Sequence, residues 1–319
     1  MLTTDIQNWL SATTSEQNTQ SNGFETMNIL ITGGTGNVGK VLIPLLKKSG
    51  HDCYILTRSP KSEKEIFWNP ISQEGKLPDG IDFQAVVHLA GYSVSNRWTK
   101  KNKQEMIDSR LQSTMLLKKM LVERKVENIT WIQASAIGIY NNTQEWQNED
   151  SAHGKGFLAQ LTADWENAIA NQPAGWHKVI LRIGVVMDAK SGALSAMLPV
   201  FKMGMGSALG TGQQWMSWIA IEDLARMIHF ALENNNIQGV YNAVAPAPVQ
   251  NDEFGRELCR AIKRPYWLPK VPAFLLNLMV GEMASMVLNS QRISSQKIQD
   301  QGFVFKHNTL AQNFQEIFK

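Results

Sequence analysis

Short apolar runs alternate with longer amphipathic stretches along this chain from Asn28 onward. The apolar runs predict strands at 28–32, 53–57, 66–68, 85–90, 130–135 and 179–183. Helical periodicity occupies most of the intervals between them, for example 38–49 and 103–123. Near-continuous Val, Ile and Leu runs separated by helices are typical of a parallel sheet covered on both faces. The sequence therefore predicts an α/β fold with a doubly wound parallel sheet.

Two segments depart from this pattern. Residues 1–26 are rich in Ser, Thr, Gln and Asn and contain no Lys or Arg. Secretory signals and transit peptides both need basic residues, so we interpret 1–26 as a disordered leader. The apolar stretch at 271–288 is interrupted by Asn277 and Glu282, and its helical stripe favours a packed helix over a membrane span.

Composition and charge exclude several classes of partner. The net charge is only +3 over 319 residues, and Lys and Arg are scattered, so nothing indicates a nucleic-acid partner. Cys53 and Cys259, the only two cysteines, suggest neither a disulfide framework nor a metal motif. The six histidines do not fall at zinc-ligand spacing. We therefore expect a cytoplasmic protein with no metal site, no nucleic-acid partner and no membrane partner.

The stretch ILITGGTGNVGK at 29–40 predicts a dinucleotide site, because its glycines have the spacing GxxGxxG at the end of the first strand. Gly33 allows a tight turn, Gly36 lets backbone amides approach a pyrophosphate, and Gly39 permits close packing of helix on strand. The following helix directs its amide dipoles at the phosphates. The predicted cofactor contacts in this turn are Gly33, Thr35, Gly36, Asn37 and Val38.

The end of the second strand bears on the choice of cofactor. Dinucleotide-binding folds that prefer NAD usually place an acidic residue there, and its carboxylate accepts a hydrogen bond from the ribose 2′-hydroxyl. This chain has Thr57, Arg58 and Ser59 instead, and a guanidinium suits a 2′-phosphate. NADP is therefore favoured over NAD. The alternative is that Arg58 is an ordinary solvated arginine.

Other predicted contacts follow later strands of the sheet. Ligands of doubly wound folds lie outside the carboxyl ends of the strands, which gathers 89–91, Ser135 and Ile183 around one crevice. Leu89, Ala90 and Gly91 are predicted to line the adenosine side, with ordinary strand-end packing as the alternative. Arg110 is predicted to contact an anionic substrate or a cofactor phosphate. The alternative for Arg110 is a buried structural ion pair.

Several short motifs together resemble one known family. The run TGGTGNVG at 32–39 resembles the TGxxGxxG of extended and atypical short-chain dehydrogenases/reductases. The runs HLAG at 88–91, RIGVV at 182–186 and GFVF at 302–305 resemble its NAD-dependent epimerase/dehydratase-like branch, called epimerase family proteins. That branch has its own C-terminal segment. The resemblance covers residues 28–318.

The resemblance implies a division of the chain into lobes. An NAD(P)-binding Rossmann domain would span 27–185, with 215–245 returning to it through a strand at 239–244. A smaller C-terminal substrate lobe would comprise 186–214 and 246–319. It further implies a small-molecule substrate, and a homodimer is an arrangement found in the superfamily.

The resemblance also exposes a departure at the catalytic position. Active members of the superfamily use a Ser or Thr after the fifth strand and a YxxxK pair whose lysine lowers the pKa of the tyrosine. Ser135 fits the first role. At the expected helix, however, KGFLAQLTADWE places Phe157 at the tyrosine position and Leu161 at the lysine position. Tyr140 is the predicted substitute acid, and the alternative is that it packs in its loop.

Two classes of function remain open. The first is an NADP-linked epimerase, dehydratase or reductase that acts on a sugar nucleotide or a small carbonyl compound. The second is a non-catalytic NADP(H)-binding regulatory or sensor module that acts through a protein partner. Phe157 and Leu161 favour the sensor, whereas the glycine-rich segment at 204–212 of the predicted substrate lobe favours the enzyme. We prefer the enzyme, because a pure sensor does not explain a second lobe.

Overall fold

The computed structural model of the chain describes residues 26–319. The leader predicted for 1–26 lies, except for Thr26, outside the described residues. The strands are β1 (Asn28–Thr32), β2 (Asp52–Thr57), β3 (Glu65–Asn69), β4 (Glu74–Gly75), β5 (Ala85–His88), β6 (Ile129–Ala136), β7 (Trp146–Gln147), β8 (Trp176–Ile183), β9 (Val185–Met187), β10 (Trp215–Met216), β11 (Trp218–Ala220), β12 (Gly239–Ala243), β13 (Val249–Gln250) and β14 (Arg292–Ile293).

Ten α-helices join these strands within the described part of the chain. They are α1 (Asn37–Lys48), α2 (Lys100–Glu123), α3 (Phe157–Asn167), α4 (Gly192–Lys202), α5 (Ile221–Glu233), α6 (Asn251–Ala261), α7 (Ala273–Val280), α8 (Ser285–Leu288), α9 (Gln296–Asp300) and α10 (Leu310–Ile317). The main sheet has eight strands in the order β12-β8-β6-β5-β1-β2-β3-β4. Its pairs are parallel except β3 with β4. This confirms the doubly wound α/β fold predicted from the apolar runs.

Side chains alternate along the strands and pack into two apolar layers, one on each face of the sheet. Along β1, Ile29 and Ile31 belong to one layer, whereas Leu30 belongs to the other. This alternation follows from the two-residue period of a strand. Two helices, α1 and α5, cover the first face through Leu42, Leu46, Leu224 and Ile228. The second face is covered by α2, through Leu116, Leu117, Met120 and Leu121.

A third apolar cluster lies in the C-terminal half of the chain. It joins α4, α6 and α10 through Leu194, Leu198, Phe201, Phe254, Leu258, Leu310 and Phe314. Meanwhile β12 pairs with β8 and so extends the main sheet. The lobe boundaries at 185, 215 and 245 stay a prediction.

The apolar stretch at 271–288 does not form the single packed helix that its stripe predicts. Gly281, with φ +60°, ends α7, and a short 3-10 turn and α8 follow. Every residue of α7 keeps some exposure, and Phe274 and Leu278 are 73% and 80% exposed. None of the helices between residues 26 and 319 is both long enough and apolar enough to cross a bilayer.

The parallel strands bring the predicted site residues to one edge of the sheet. In the register, Thr32 of β1 lies opposite His88 of β5, and Ser135 of β6 lies opposite Arg182 of β8. The glycine turn leaves the end of β1, and 89–91 leave the end of β5. Ile183, half-buried, closes β8 at the same edge. The site is therefore assembled from the loops at these carboxyl ends.

Candidate cofactor site and adjoining cleft

The turn between β1 and α1 requires glycine at Gly33. Its φ is +70°, and a Cβ there would lie 3.0 Å from both the Ala90 nitrogen and the Leu89 carbonyl carbon. The Gly36 amide donates to the Gly33 carbonyl at 2.9 Å and closes the turn. Any side chain at Gly33 would therefore push apart the turn and the loop that follows β5.

The start of α1 is suited to an anion. The N-cap residue Gly36 offers no side-chain acceptor, and the first turn of α1 holds no acidic residue. The first N–H groups of a helix lack intrahelical partners, and the helix dipole adds partial positive charge there. A Cβ at Gly39 would lie 2.6 Å from Gly34 Cα, so glycine at this position lets α1 pack closely against the turn after β1. The residues beside this terminus are Thr35, Gly36 and Asn37, which are exposed, and Val38, which is half-buried.

A buried hydrogen-bond network fixes the loop that follows β5. Thr32 Oγ1 accepts from the amides of Leu89 and Ala90, both at 3.1 Å, and lies 2.6 Å from His88 Nδ1. The Thr114 hydroxyl donates to a backbone carbonyl of α2 at 2.8 Å and lies 3.0 Å from His88 Nε2. Because that hydroxyl proton is used, His88 donates from Nε2 and accepts from Thr32 at Nδ1. Burial lowers the pKa of His88 to about 3, so the ring is neutral.

Arg58 lies at the edge of the sheet where β1 and β2 both end. Thr32 is opposite Leu56 in the register, which places Thr57 and Arg58 beside the glycine turn. The Ser59 amide donates to Thr57 Oγ1 at 3.3 Å and turns the chain at this point. Arg58 is exposed, and no ion pair within residues 26–319 involves it. Its guanidinium can therefore pair with a phosphate.

Arg110 reaches from α2 to the loop after β5. Its Nη1 donates to the carbonyls of Tyr92 and Met106 at 3.0 and 3.1 Å. A Cβ on Gly91 would lie 3.1 Å from the guanidinium carbon, which itself lies 4.8 Å from the ring centre of Trp165. Burial lowers the pKa of Arg110 to about 10. No carboxylate in the described chain pairs with it, so the structural ion pair considered as the alternative is absent there.

Ser135 belongs to a buried polar cluster that joins β6, β8 and α3. Its hydroxyl donates to Glu166 Oε1 at 2.5 Å. Arg182 forms a two-pronged pair with Glu166, with Nε and Nη2 both 2.9 Å from carboxylate oxygens. The side chains of Arg182 and Glu166 are only 4% and 10% exposed. The hydroxyl proton of Ser135 is therefore committed to a carboxylate, and its role towards a substrate stays a prediction.

Tyr140 belongs to the same cluster and is buried, at 3% exposure. Its hydroxyl donates to Asn242 Oδ1 at 2.6 Å and accepts from Arg182 Nη1 at 3.0 Å. Burial raises the pKa of Tyr140 to about 12. The structure therefore argues against the predicted role of Tyr140 as substitute acid, because its hydroxyl is buried and its proton is already donated to Asn242.

The start of α3 presents an aromatic surface where the superfamily pattern places a tyrosine. The Phe157 ring packs edge-on against Trp98, with ring centres 5.2 Å apart, while Leu161 is buried in the core. Lys103 Nζ lies 5.0 Å from the Phe157 ring centre and 5.6 Å from that of Trp98. The same ammonium pairs with the carboxylate of Glu282.

Lys103 and Glu282 were not identifiable as site residues from the sequence. They are 179 positions apart, and no motif marks either one as half of a pair. The one available signal is that Glu282 is the only charge in the apolar stretch at 271–288. The fold brings the two together beside Phe157, so they place a charged pair against the aromatic surface.

Two parts of the chain match described families. Residues 29–243 match the family described as NAD dependent epimerase/dehydratase, and residues 271–317 match a domain of unknown function, DUF1731. The epimerase family protein YfhF of Bacillus subtilis is 38% identical over 291 residues, which cover 89% of this chain and 95% of that protein.

Solved structures give a consistent comparison. The human epimerase family protein SDR39U1 (isoform 2), crystallised with NADPH, has a TM-score of 0.83 and 32% identity, covering 91% of this chain and 99% of that one. A nucleoside-diphosphate sugar epimerase from Corynebacterium glutamicum has a TM-score of 0.75 and 28% identity, covering 92% of this chain and 59% of that one. The similarity therefore extends through both the glycine turn and the segment that carries Glu282.

Proposed function

Because this chain belongs to the NAD dependent epimerase/dehydratase family, we propose that it binds NADP(H) at the glycine turn and exchanges a hydride with a sugar nucleotide or another small carbonyl compound. The observation that carries the proposal is the geometry at Gly33, where the backbone closes a cradle that a single Cβ would fill. The uncapped start of α1 supplies amide donors for a pyrophosphate beside that cradle.

The choice of NADP(H) rests on Arg58 and on a relative. An exposed guanidinium without an ion pair in the described chain lies where NAD-specific enzymes place an acidic side chain. The similar human protein was crystallised with NADPH. When bound, the nicotinamide would supply the carbon that gives up or accepts the hydride.

The substrate class rests on charge and on a second relative. Arg110 is a largely desolvated cation whose Nη1 is held by two carbonyls, and its guanidinium packs against Gly91 in the loop after β5. Such a cation favours an anionic ligand, which a nucleoside diphosphate group provides. The similar protein from Corynebacterium glutamicum is described as a nucleoside-diphosphate sugar epimerase.

The acid that would protonate a substrate oxygen is, in this proposal, Lys103. Its ammonium lies against Phe157, at the position where the superfamily places its tyrosine, and it carries transferable protons that phenylalanine lacks. Glu282 holds the ammonium in place through their ion pair. Ser135 would serve as an acceptor, since its own proton goes to Glu166.

The alternative is a non-catalytic NADP(H) sensor that acts through a protein partner. One observation favours it: the helix that normally carries the YxxxK pair here presents Phe157 to an aromatic contact and Leu161 to the core. Under this alternative, the ion pair of Lys103 with Glu282 would only connect α2 to the segment that follows α7.

The test is a substrate screen with a matched pair of variants. Tag-free protein is incubated with NADP⁺ or NADPH and a panel of nucleoside diphosphate sugars, and epimers and ketones are followed by NMR. We expect turnover of at least one sugar, and about a 10²- to 10⁴-fold loss of rate in Lys103→Met. The control is Lys101→Met, an exposed lysine of the same helix turn. Tight NADPH binding with no turnover of any sugar would favour the sensor.

A further inference from the structure

A cluster of three metal-ligating side chains lies between α1 and α5, away from the cofactor site. His51 follows α1 and directly precedes β2, so it lies at the amino edge of the sheet. His229 and Glu233 lie four residues apart on α5 and so project from the same face of that helix. Histidine spacing along the chain predicts no metal site, but the fold brings His51 next to this pair.

The distances within the cluster fit a small metal ion. His229 Nε2 lies 3.0 Å from Glu233 Oε1, and His51 Nε2 lies 3.8 Å from the same oxygen. All three ligand atoms lie within 4.8 Å of one another. Ligand atoms of a tetrahedral zinc ion, each about 2.0–2.2 Å from the metal, lie roughly 3.3–3.6 Å apart. Small side-chain movements would therefore complete such a site.

Both imidazole nitrogens lack a hydrogen-bond partner. His51 Nε2 and His229 Nε2 are buried, and neither forms a hydrogen bond to any described residue. The His51 side chain is fully buried and points into the cluster. Both nitrogens lie within ion-pair distance of the Glu233 carboxylate, yet neither is aligned for a hydrogen bond to it. Buried polar groups in native proteins are almost always hydrogen-bonded, so this incomplete pairing calls for an explanation.

A second cluster in the chain shows what a satisfied arrangement looks like. Glu222, His307 and Glu316 also bring three ligand atoms together. There, Lys306 Nζ lies 2.8 Å from both carboxylates and supplies the positive charge. In the cluster at Glu233, by contrast, no lysine or arginine from residues 26–319 pairs with the carboxylate.

We propose that His51, His229 and Glu233 bind a divalent transition metal ion, with Zn²⁺ as the best match to two imidazoles and one carboxylate. Three protein ligands leave the fourth position of a tetrahedron to water. The side chains of His229 and Glu233 are 17% and 16% exposed, which gives water and the ion a route to the site. The ion would join the loop after α1 to the last turn of α5.

Binding requires one change in His51. Its Nδ1 accepts from the Met27 amide at 3.4 Å, which places the ring proton on Nε2. Metal ligation through Nε2 moves that proton to Nδ1 and gives up this long hydrogen bond.

The experiment is a metal titration of tag-free, full-length protein that has been stripped with EDTA and dialysed. Calorimetry with Zn²⁺ should give one ion per chain, and Co²⁺ should give visible absorption bands of tetrahedral intensity. Zn²⁺ should also raise the Tm. His229→Gln and Glu233→Gln should each weaken Zn²⁺ binding by at least tenfold, and each should unfold like the wild type in EDTA, because both side chains lie partly at the surface.

Two controls assign the ion to this cluster. Glu222→Gln in the second cluster and the double variant Cys53→Ala/Cys259→Ala, which keeps both buried positions apolar, should both leave Zn²⁺ stoichiometry and affinity unchanged. The proposal is overturned if no stoichiometric ion binds, or if binding survives in His229→Gln and Glu233→Gln. Loss of binding in either control would place the ion elsewhere and overturn it equally.

Discussion

Arg58 is the residue that most directly separates the two nicotinamide cofactors. Replacing it with Glu places a negative charge where NADP carries its 2′-phosphate and NAD carries a hydroxyl. We expect Arg58→Glu to weaken NADPH binding at least tenfold and to change NADH binding little. Fluorescence titration of both cofactors measures this difference.

The matched control is Arg264→Glu, since Arg264 is another exposed arginine and lies beyond α6. That variant should bind both cofactors like the wild type. Equal losses of NADPH and NADH in Arg58→Glu would show that Arg58 serves the turn as a whole and does not select the phosphate.

Single residues were predictable from sequence where the local backbone dictates their identity. Gly33 and Gly39 could be identified because a turn with positive φ, or a close helix approach, excludes side chains. The environment of Tyr140 could not be identified, because its hydrogen-bond partners Asn242 and Arg182 lie 102 and 42 positions away. A hydroxyl five residues after Ser135 looks available until the fold supplies those partners.

Among the elements, α3 is joined to β8 by the buried pair of Arg182 and Glu166. Removing one member of a buried ion pair leaves the other charge desolvated, which typically costs about 3–5 kcal/mol. We expect Glu166→Gln to lower the free energy of unfolding by that order, as measured by urea denaturation. Ser135 would also lose its carboxylate acceptor in this variant.

The control for this prediction is on the same helix. Among residues 26–319, the one hydrogen bond to the Asp164 carboxylate comes from Gln160, at 2.8 Å, on a partly exposed face of α3. Asp164→Asn should therefore change the free energy of unfolding by well under about 1 kcal/mol. Similar decreases in the free energy of unfolding in both variants would mean that the loss of any carboxylate on α3 destabilises the protein. The buried pair of Arg182 and Glu166 would then contribute no more than a surface carboxylate does.

The existence of most strands of the main sheet could be predicted, because apolar runs in a parallel sheet are nearly continuous, but their ends could not. The strand predicted at 85–90 ends at His88, since the next two amides turn to the Thr32 hydroxyl. Likewise α2 begins at Lys100, before its apolar stripe does, because Thr99 caps it by accepting from the Asn102 amide. Such ends depend on polar contacts, which hydrophobic periodicity does not report.

At the scale of the whole molecule, His88 links the stability of the sheet to the cofactor site. It lies on β5, one of the central strands, with Trp68, Trp131 and Trp165 packed edge-on around its ring. Through Thr32 it also holds the loop that approaches Gly33. Protonation would put a hydrogen on Nδ1 against the Thr32 hydroxyl, and would add a charge near Arg110, which burial does not allow.

Because His88 is buried in its neutral form, we expect the free energy of unfolding to decrease in acid. Its pKa is lowered to about 3 in the folded chain and is about 6.5 in an unfolded one. Between about pH 6.5 and about pH 3, the histidine binds this proton in the unfolded state but not in the folded state. The free energy of unfolding therefore falls as the pH falls through this window. The slope from this one group is about 1.4 kcal/mol per pH unit.

Urea denaturation of the wild type and of His88→Gln between pH 7.5 and pH 4.5 isolates that slope. Glutamine keeps a donor and an acceptor but does not titrate, so the variant should start less stable and lose stability more slowly as the pH falls. In the folded wild type the ring stays neutral over this range, because its pKa is about 3, so the loop after β5 should keep its hydrogen bonds to Thr32. Parallel stability curves for the two proteins would instead assign the acid sensitivity to other groups and leave His88 as a packing residue.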